Sequence, residues 1–181
     1  MRRVSVVGNT GSGKTTLARR IAQRLGVPFL ELDSIHHQAD WQPLDTETFR
    51  AMVGDHTAGD GWVVDGNYSA VQDLVWSRAD TVIWLDLSRA RVMWRVVSRT
   101  LRRAATREEL WNGNKEPLRN FLTLAPEESV IAWAWTRHRV YRQRYELAMR
   151  DPGWVHLRFV RVRSRHDLEG LLGSPVAQNE E

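Results

Sequence analysis

Gly8-Asn9-Thr10-Gly11-Ser12-Gly13-Lys14-Thr15 reads G-x-x-x-x-G-K-[ST], and what lies on either side of it decides the fold. Arg3-Val4-Ser5-Val6-Val7 precedes it as a short apolar strand. Behind it, Thr16 to Leu25 place apolar residues at 17, 18, 21, 22 and 25, which is one stripe of a helix. Strand, glycine turn and helix start are the setting in which this motif works as a phosphate loop. Glycine lets the backbone curl so that its N–H groups converge, and the helix N-terminus adds partial positive charge. The resulting ring of donors over Gly8, Asn9, Thr10, Gly11, Ser12 and Gly13 fits a polyphosphate. Lys14 would reach the β- and γ-phosphates, and the Thr15 hydroxyl would ligate Mg²⁺. The motif implies a nucleoside triphosphate ligand, with ATP and Mg²⁺ as the expected cofactors.

Lys14 and Lys115 are the only lysines among 26 Lys+Arg residues. In a chain so biased to arginine, the compact ammonium at 14 is the group a tight loop requires, because a planar guanidinium is too broad for it. The 181 residues, 42% hydrophobic, are expected to form one domain over 1–172, with a frayed polar tail at 173–181. Absence of cysteine excludes disulfides and thiolate metal sites. With no apolar run of spanning length and no signal peptide, the expectation is a soluble, cytoplasmic protein with no membrane partner. Charge is unevenly placed: residues 89–165 carry eighteen Arg/Lys against seven Asp/Glu, although the whole chain nets only +4. An arginine-rich lid over phosphates, a solvated helix face and a nucleic-acid surface compete to explain it, in that order of preference.

Strand and helix signals alternate along the chain, the pattern of an α/β sheet with mostly parallel strands. Further strands are expected at 28–32, 61–65, 81–86 and 155–160, and further helices at 46–57, 88–103, 127–150 and 167–172. Residues 104–126 lose periodicity and carry Pro117 and Pro126, which suits a lid-like insert. Three strands end in aspartate: Asp33, Asp65 and Asp86. Ligands of open parallel sheets bind beyond the carboxyl ends of the strands, so all three crowd the phosphate-loop side. Phosphoryl transfer needs carboxylates there to hold Mg²⁺ and to accept a proton. Asp65 suits the metal, following an apolar run and preceding Gly66. Asp33, beside His36 and His37, suits the acceptor or general base, while Asp86 suits a helix cap. His36 and His37 read as polar loop residues rather than a metal pair. GTPase readings fail because Asn114-Lys115 is followed by Glu116-Pro117, without the aspartate that reads guanine.

Gly8–Thr15, the Asp33 loop, Val64-Asp65-Gly66-Asn67-Tyr68-Ser69, Trp84-Leu85-Asp86 and Arg95…Arg99…Arg102-Arg103 together resemble the adenylate kinase-like small P-loop kinases. Trp111-Asn112-Gly113-Asn114 resembles, more narrowly, the adenylate kinase-related group often labelled topology modulation proteins. The resemblance implies a P-loop NTPase fold: a three-layer sandwich around a five-stranded parallel sheet of order 2-3-1-4-5, with a lid that closes over ATP. It implies that Gly13, Lys14, Thr15 and Thr16 hold phosphates and magnesium, and that Asp65-Gly66 positions magnesium-bound water. Arg99 and Arg103 would be lid arginines that neutralise the transferring group, and the turn at Arg163-Ser164-Arg165 would pack near the adenine. One departure matters. Adenylate kinases follow Asp-Gly with an aromatic, a proline and an arginine that grips the acceptor phosphate, whereas Asn67, Tyr68 and Ser69 stand here. Losing a bidentate phosphate partner argues against AMP as the acceptor.

Among nine tryptophans, Trp62, Trp84 and Trp154 are expected in core strands and Trp133 and Trp135 in helix packing. Trp41 and Trp111 lie in loops and are candidates to stack on a base or sugar. The expected machinery is thus an ATP- and Mg²⁺-dependent kinase in which Lys14, Asp33, Asp65, Arg99 and Arg103 act on a small-molecule acceptor, a nucleoside or nucleotide before a sugar-like alcohol. Its rival is a P-loop ATPase that regulates by binding nucleic acid or protein.

Overall fold

In the computed structural model, which describes residues 1–106, 111–113 and 129–173, the apolar runs form strands β1 (Arg3–Gly8), β2 (Phe29–Glu31), β3 (Trp62–Asp65), β4 (Thr81–Leu85) and β5 (Arg158–Val162). They pair in parallel in the order β2-β3-β1-β4-β5, as the sequence reading expected. Alternation divides each strand between two faces. Val64, Val82 and Trp84 pack on one side with Phe49, Val71, Trp76 and Tyr145; Val4, Val6, Val63 and Ile83 pack on the other with Leu17, Ala18 and Ile21. The first side is covered by α3 (Thr46–His56), α4 (Ser69–Arg78) and α6 (Val130–Ala148), the second by α1 (Lys14–Leu25) and α7 (Arg165–Gly173). Helix, sheet and helix make the three layers. α5 (Arg89–Thr106) lays Val92 and Val96 against Ala134 of α6. No helix among the described residues is long and apolar enough to cross a membrane.

Several boundaries differ from expectation. β2 stops at Glu31, and a short helix α2 (Leu32–His36) follows, so Asp33 rides on a helix rather than a loop. α4 has no counterpart in the sequence reading because its apolar residues do not form one stripe. Val71, Val75 and Trp76 are all buried, and the Trp76 indole N–H donates to Ser5 Oγ of β1 at 3.2 Å. β5 begins at Arg158, three residues later than expected, because Asp151 caps a tight turn over Pro152–Trp154. Trp154 therefore belongs to that turn and meets Trp76 edge-on at 5.4 Å. Trp135 is also corrected: it is 53% exposed, with Arg89 lying over its ring. Of the proposed insert, 104–106 continue α5 and Trp111–Gly113 form a turn; 107–110 and 114–126, the proposed helix start at 127, and the tail from 174 lie outside the described residues.

Candidate active site

The loop between β1 and α1 takes its shape from three glycines in the left-handed region: Gly8 (φ 147), Gly11 (φ 73) and Gly13 (φ 94). At Gly11 a Cβ would also fall 2.4 Å from Val96 Cγ2, so α5 packs directly on the loop and excludes any side chain there. Lys14 Nζ donates to Asn9 O at 3.2 Å, curled over the loop. Arg95 donates to Ser12 O at 2.9 Å and Arg99 to Thr10 Oγ1 at 3.3 Å, both from α5. One cleft of about 1760 Å³ joins Thr10 to Thr16 with Asp33, Arg99, Arg103 and Arg165. Arg91, Arg95 and Arg102 line it too, so much of the basic excess on α5 faces the loop. Arg163 is turned elsewhere, 3.6 Å from Asp86.

Asp65, at the end of β3, is 3% exposed and accepts a 2.5 Å hydrogen bond from Thr15 Oγ1. Burial pushes its pKa up to about 6, opposed by the Lys14 ammonium and the Thr15 hydroxyl and helped by the charges of Asp33 and Glu31. Its other oxygen, Oδ1, is buried with no hydrogen-bond partner. An orphaned carboxylate oxygen beside a hydroxyl fits a hard cation or one of its waters. Thr15 and Asp65 would therefore hold Mg²⁺ with the phosphates supplying further oxygens; among the described residues no cluster of three acidic or histidine side chains offers an all-protein cage.

Three residues of this neighbourhood escaped the sequence reading. Glu31 sits beside Asp65 in the β2–β3 register; its Oε1 is 3.3 Å from Thr15 Oγ1 and its Oε2 pairs with Arg19 at 2.9 Å. Asn67 clamps the entry to the loop from both sides: Gly8 N–H donates to its Oδ1 at 3.0 Å, and its Nδ2 donates to Gly8 O at 2.5 Å. Tyr145 O–H donates to the same Oδ1 at 2.9 Å, tying the clamp to α6. Asn9 adds a second tie, from Nδ2 to Ala134 O at 2.7 Å. Arg95 anchors the loop from α5 through Ser12 O. No sequence signal singles out Glu31 or Asn67, because their partners lie up to 78 positions away. Asp86 departs from its expected capping role: it is a buried acceptor for Arg161 at 2.6 Å, which also reaches Glu146 at 2.7 Å.

Asp33 Oδ1 accepts from Tyr68 O–H at 2.7 Å, and Tyr68 lies 3.2 Å from His37 Nε2. Burial first, then the Asp33 charge, holds the phenol far above its ordinary pKa, so Tyr68 keeps its proton. His36 packs on Phe49 and Tyr68 at 5.0 and 4.5 Å, a ring held inside at the end of α2 rather than a polar loop residue.

The profile of the ATPase family associated with various cellular activities (AAA) matches residues 4–86, the part that contains the loop, Asp33 and Asp65. A solved shikimate kinase from Acinetobacter baumannii superposes with TM-score 0.55 at 17% identity, over 95% of this chain and 91% of that one. The chain has the P-loop fold. Curated relatives of this P-loop protein are kinases of nucleotides and small molecules. A cytidylate kinase of Nitratidesulfovibrio vulgaris (strain DP4) is 38% identical over 58 residues, 31% of this chain and 25% of that protein. A shikimate kinase of Mycobacterium marinum is 33% identical over 102 residues, 47% of this chain and 54% of that protein. The matches thus span from a quarter to about half the length of these relatives.

The P-loop clamp makes a direct prediction. Asn67→Ala removes three hydrogen bonds, and should destabilise the fold by about 2 kcal/mol in urea titrations and weaken Mg·ATP binding about tenfold by calorimetry. Asn67→Asp should do no better, since a carboxylate cannot donate to Gly8 O. Wild-type affinity in either variant would show that the loop holds its shape without the clamp.

Proposed function

We propose that this protein is an ATP- and Mg²⁺-dependent phosphotransferase acting on a small molecule. The observation that carries this reading is the single cleft in which the phosphate loop, the α5 arginines and Asp33 face one another. The loop amides and Lys14 would bind the β- and γ-phosphates, and Arg99 and Arg103 would offset charge on the transferring group. Bound Mg²⁺ supplies neutralisation across those phosphates. The acceptor oxygen bonds to the γ-phosphorus, the bond to the β,γ-bridging oxygen breaks with its electron pair leaving on ADP, and Asp33 takes the acceptor's proton. Thr16 and Arg165, which border the same cleft, complete the nucleotide site. The phosphate-loop, Asp65 and Trp111-Asn112-Gly113 segments support a place near the adenylate kinase-related kinases, and nucleosides or nucleotides head the acceptors to try. The rival nucleic-acid surface loses ground because Arg142 and Arg144 are engaged with Glu146 and Gln72.

The test incubates the protein with Mg·ATP and a pooled metabolite extract and seeks, by mass spectrometry, a metabolite heavier by one phosphate alongside equimolar ADP. ADP and inorganic phosphate without such a product would favour the ATPase alternative.

A further inference from the structure

Among the described acidic residues that line the cleft, only Glu31 is buried, and the proposed reaction gives it no task. Parallel pairing of β2 with β3 sets it level with Asp65, and both carboxylates approach the same hydroxyl. Thr15 Oγ1 gives its single proton to Asp65 Oδ2 at 2.5 Å, while Glu31 Oε1 lies 3.3 Å away. Like charges set side by side repel, and that of Glu31 helps to raise the Asp65 carboxyl. A second carboxylate therefore stands beside any cation that Thr15 and Asp65 hold.

Arg19 faces Glu31 from the other side. It stands four residues after Thr15 on α1, one turn along the same face. Its Nη2 donates to Glu31 Oε2 at 2.9 Å, and its guanidinium lies over the Phe29 ring at 5.5 Å. Phe29 and Glu31 are two apart on β2 and share a side of that strand, so ring and carboxylate hold the cation together. Arg19 is exposed at the cleft wall, with Glu31 buried behind it. The charges thus divide into pairs: Lys14 opposes Asp65, and Arg19 opposes Glu31. A divalent cation at Thr15 and Asp65 then meets one effective carboxylate instead of two. Mg²⁺ sites with few carboxylates take the ion together with phosphate oxygens, whereas each added negative charge helps the protein hold metal by itself. We propose that Arg19 is a positioning residue: by holding Glu31 it keeps the cation site from filling with free metal, so that Mg²⁺ enters with the triphosphate. This rests on the phosphotransferase reading, in which the working metal arrives on ATP.

The experiment titrates Mn²⁺, whose free form is counted by electron paramagnetic resonance, into nucleotide-free protein. Arg19→Gln keeps an aliphatic stem on Phe29 and removes the charge. It should bind free Mn²⁺ about tenfold or more tightly than wild type, since Glu31 then turns its charge on the ion. Adding Glu31→Gln to that variant should return the affinity to within about threefold of wild type, because the two side chains act as a pair. Arg19→Lys restores a cation at a single contact and should behave as wild type. ADP should tighten Mn²⁺ binding about 100-fold in wild type but only about tenfold in Arg19→Gln. Glu31→Gln alone leaves the Arg19 cation unopposed and should weaken Mn²⁺ binding about threefold, a comparison that stands even where Arg19→Gln does not fold. A purely structural ion pair would lower the melting temperature and leave Mn²⁺ affinity where it was. Unchanged or weaker Mn²⁺ binding in a folded Arg19→Gln would overturn the proposal, as would equal tightening with Glu31 removed. Absence of transfer to any metabolite would instead remove the phosphotransferase reading, and the Mn²⁺ titrations, which need no acceptor, tell the two failures apart.

Discussion

Lys14→Ala is expected to lower the rate of phosphate transfer about a thousandfold or more while the protein still folds. Among the described residues Lys14 makes one hydrogen bond, to Asn9 O, so its removal costs the fold little beyond that bond. In the proposed reaction the substitution removes the ammonium that would follow charge from the γ-phosphate to ADP. Asp65 also loses the cation that most opposes its burial, so its pKa should climb further above about 6. Lys14→Arg should not rescue, because the guanidinium is too wide for a loop whose flanking Gly13 already has Arg95 Nη1 3.3 Å from a Cβ position. Single-turnover transfer with a parallel thermal melt tests this. A variant that melts like wild type and retains its turnover would remove Lys14 from the machinery.

Asp65→Asn should separate stability from activity. A buried aspartate raised to about 6 from an unfolded value of 3.8 favours the fold only while protonated. Its stabilising contribution is complete below pH 3.8 and is lost as pH rises through about 6. At pH 8 the ionised group then costs about 3 kcal/mol, from roughly two pKa units at 1.36 kcal/mol each. Asparagine avoids that cost but leaves an amide N–H₂ where Oδ1 already lacks a partner, so the net gain at pH 8 is about 1–2 kcal/mol. For a chain of this size that is a melting temperature higher by roughly 2–8 °C, and the gain should vanish near pH 4. Transfer should fall about 100-fold or more, because a neutral amide cannot oppose a divalent cation's charge. A variant that melts below wild type at pH 8 would mean that the carboxylate is well solvated in the folded protein.

The P-loop was legible because its turn and the helix after it are written in consecutive residues, although Asn67, Arg95 and Ala134 tie it down from far along the chain. Glycine stands at the loop's positive-φ positions 8, 11 and 13, and α1 begins at the next residue, Lys14. Buried parallel strands announce themselves as apolar runs, which is why β1, β3 and β4 stood close to where their residues placed them. Asp65 could be chosen from the same logic, as the carboxylate that ends such a run. α4 could not, because Trp76 is buried off the stripe that Val71 and Val75 begin, which blurs the period although Ser69, Asp73 and Ser77 form an exposed face.

Chain order and local chemistry alone therefore specified the alternating α/β layout, the phosphate loop and the aspartate behind it. Folding in three dimensions determined what surrounds them. It sets Glu31 level with Asp65 across two strands, and closes Asn67 on Gly8 from 59 residues away. It brings Trp111 onto His37, and assigns Asp86 to Arg161 rather than to a helix cap. These pairings depend on strand register and on how α5 and α6 pack, and a side chain carries no mark of the partner that tertiary packing will bring to it.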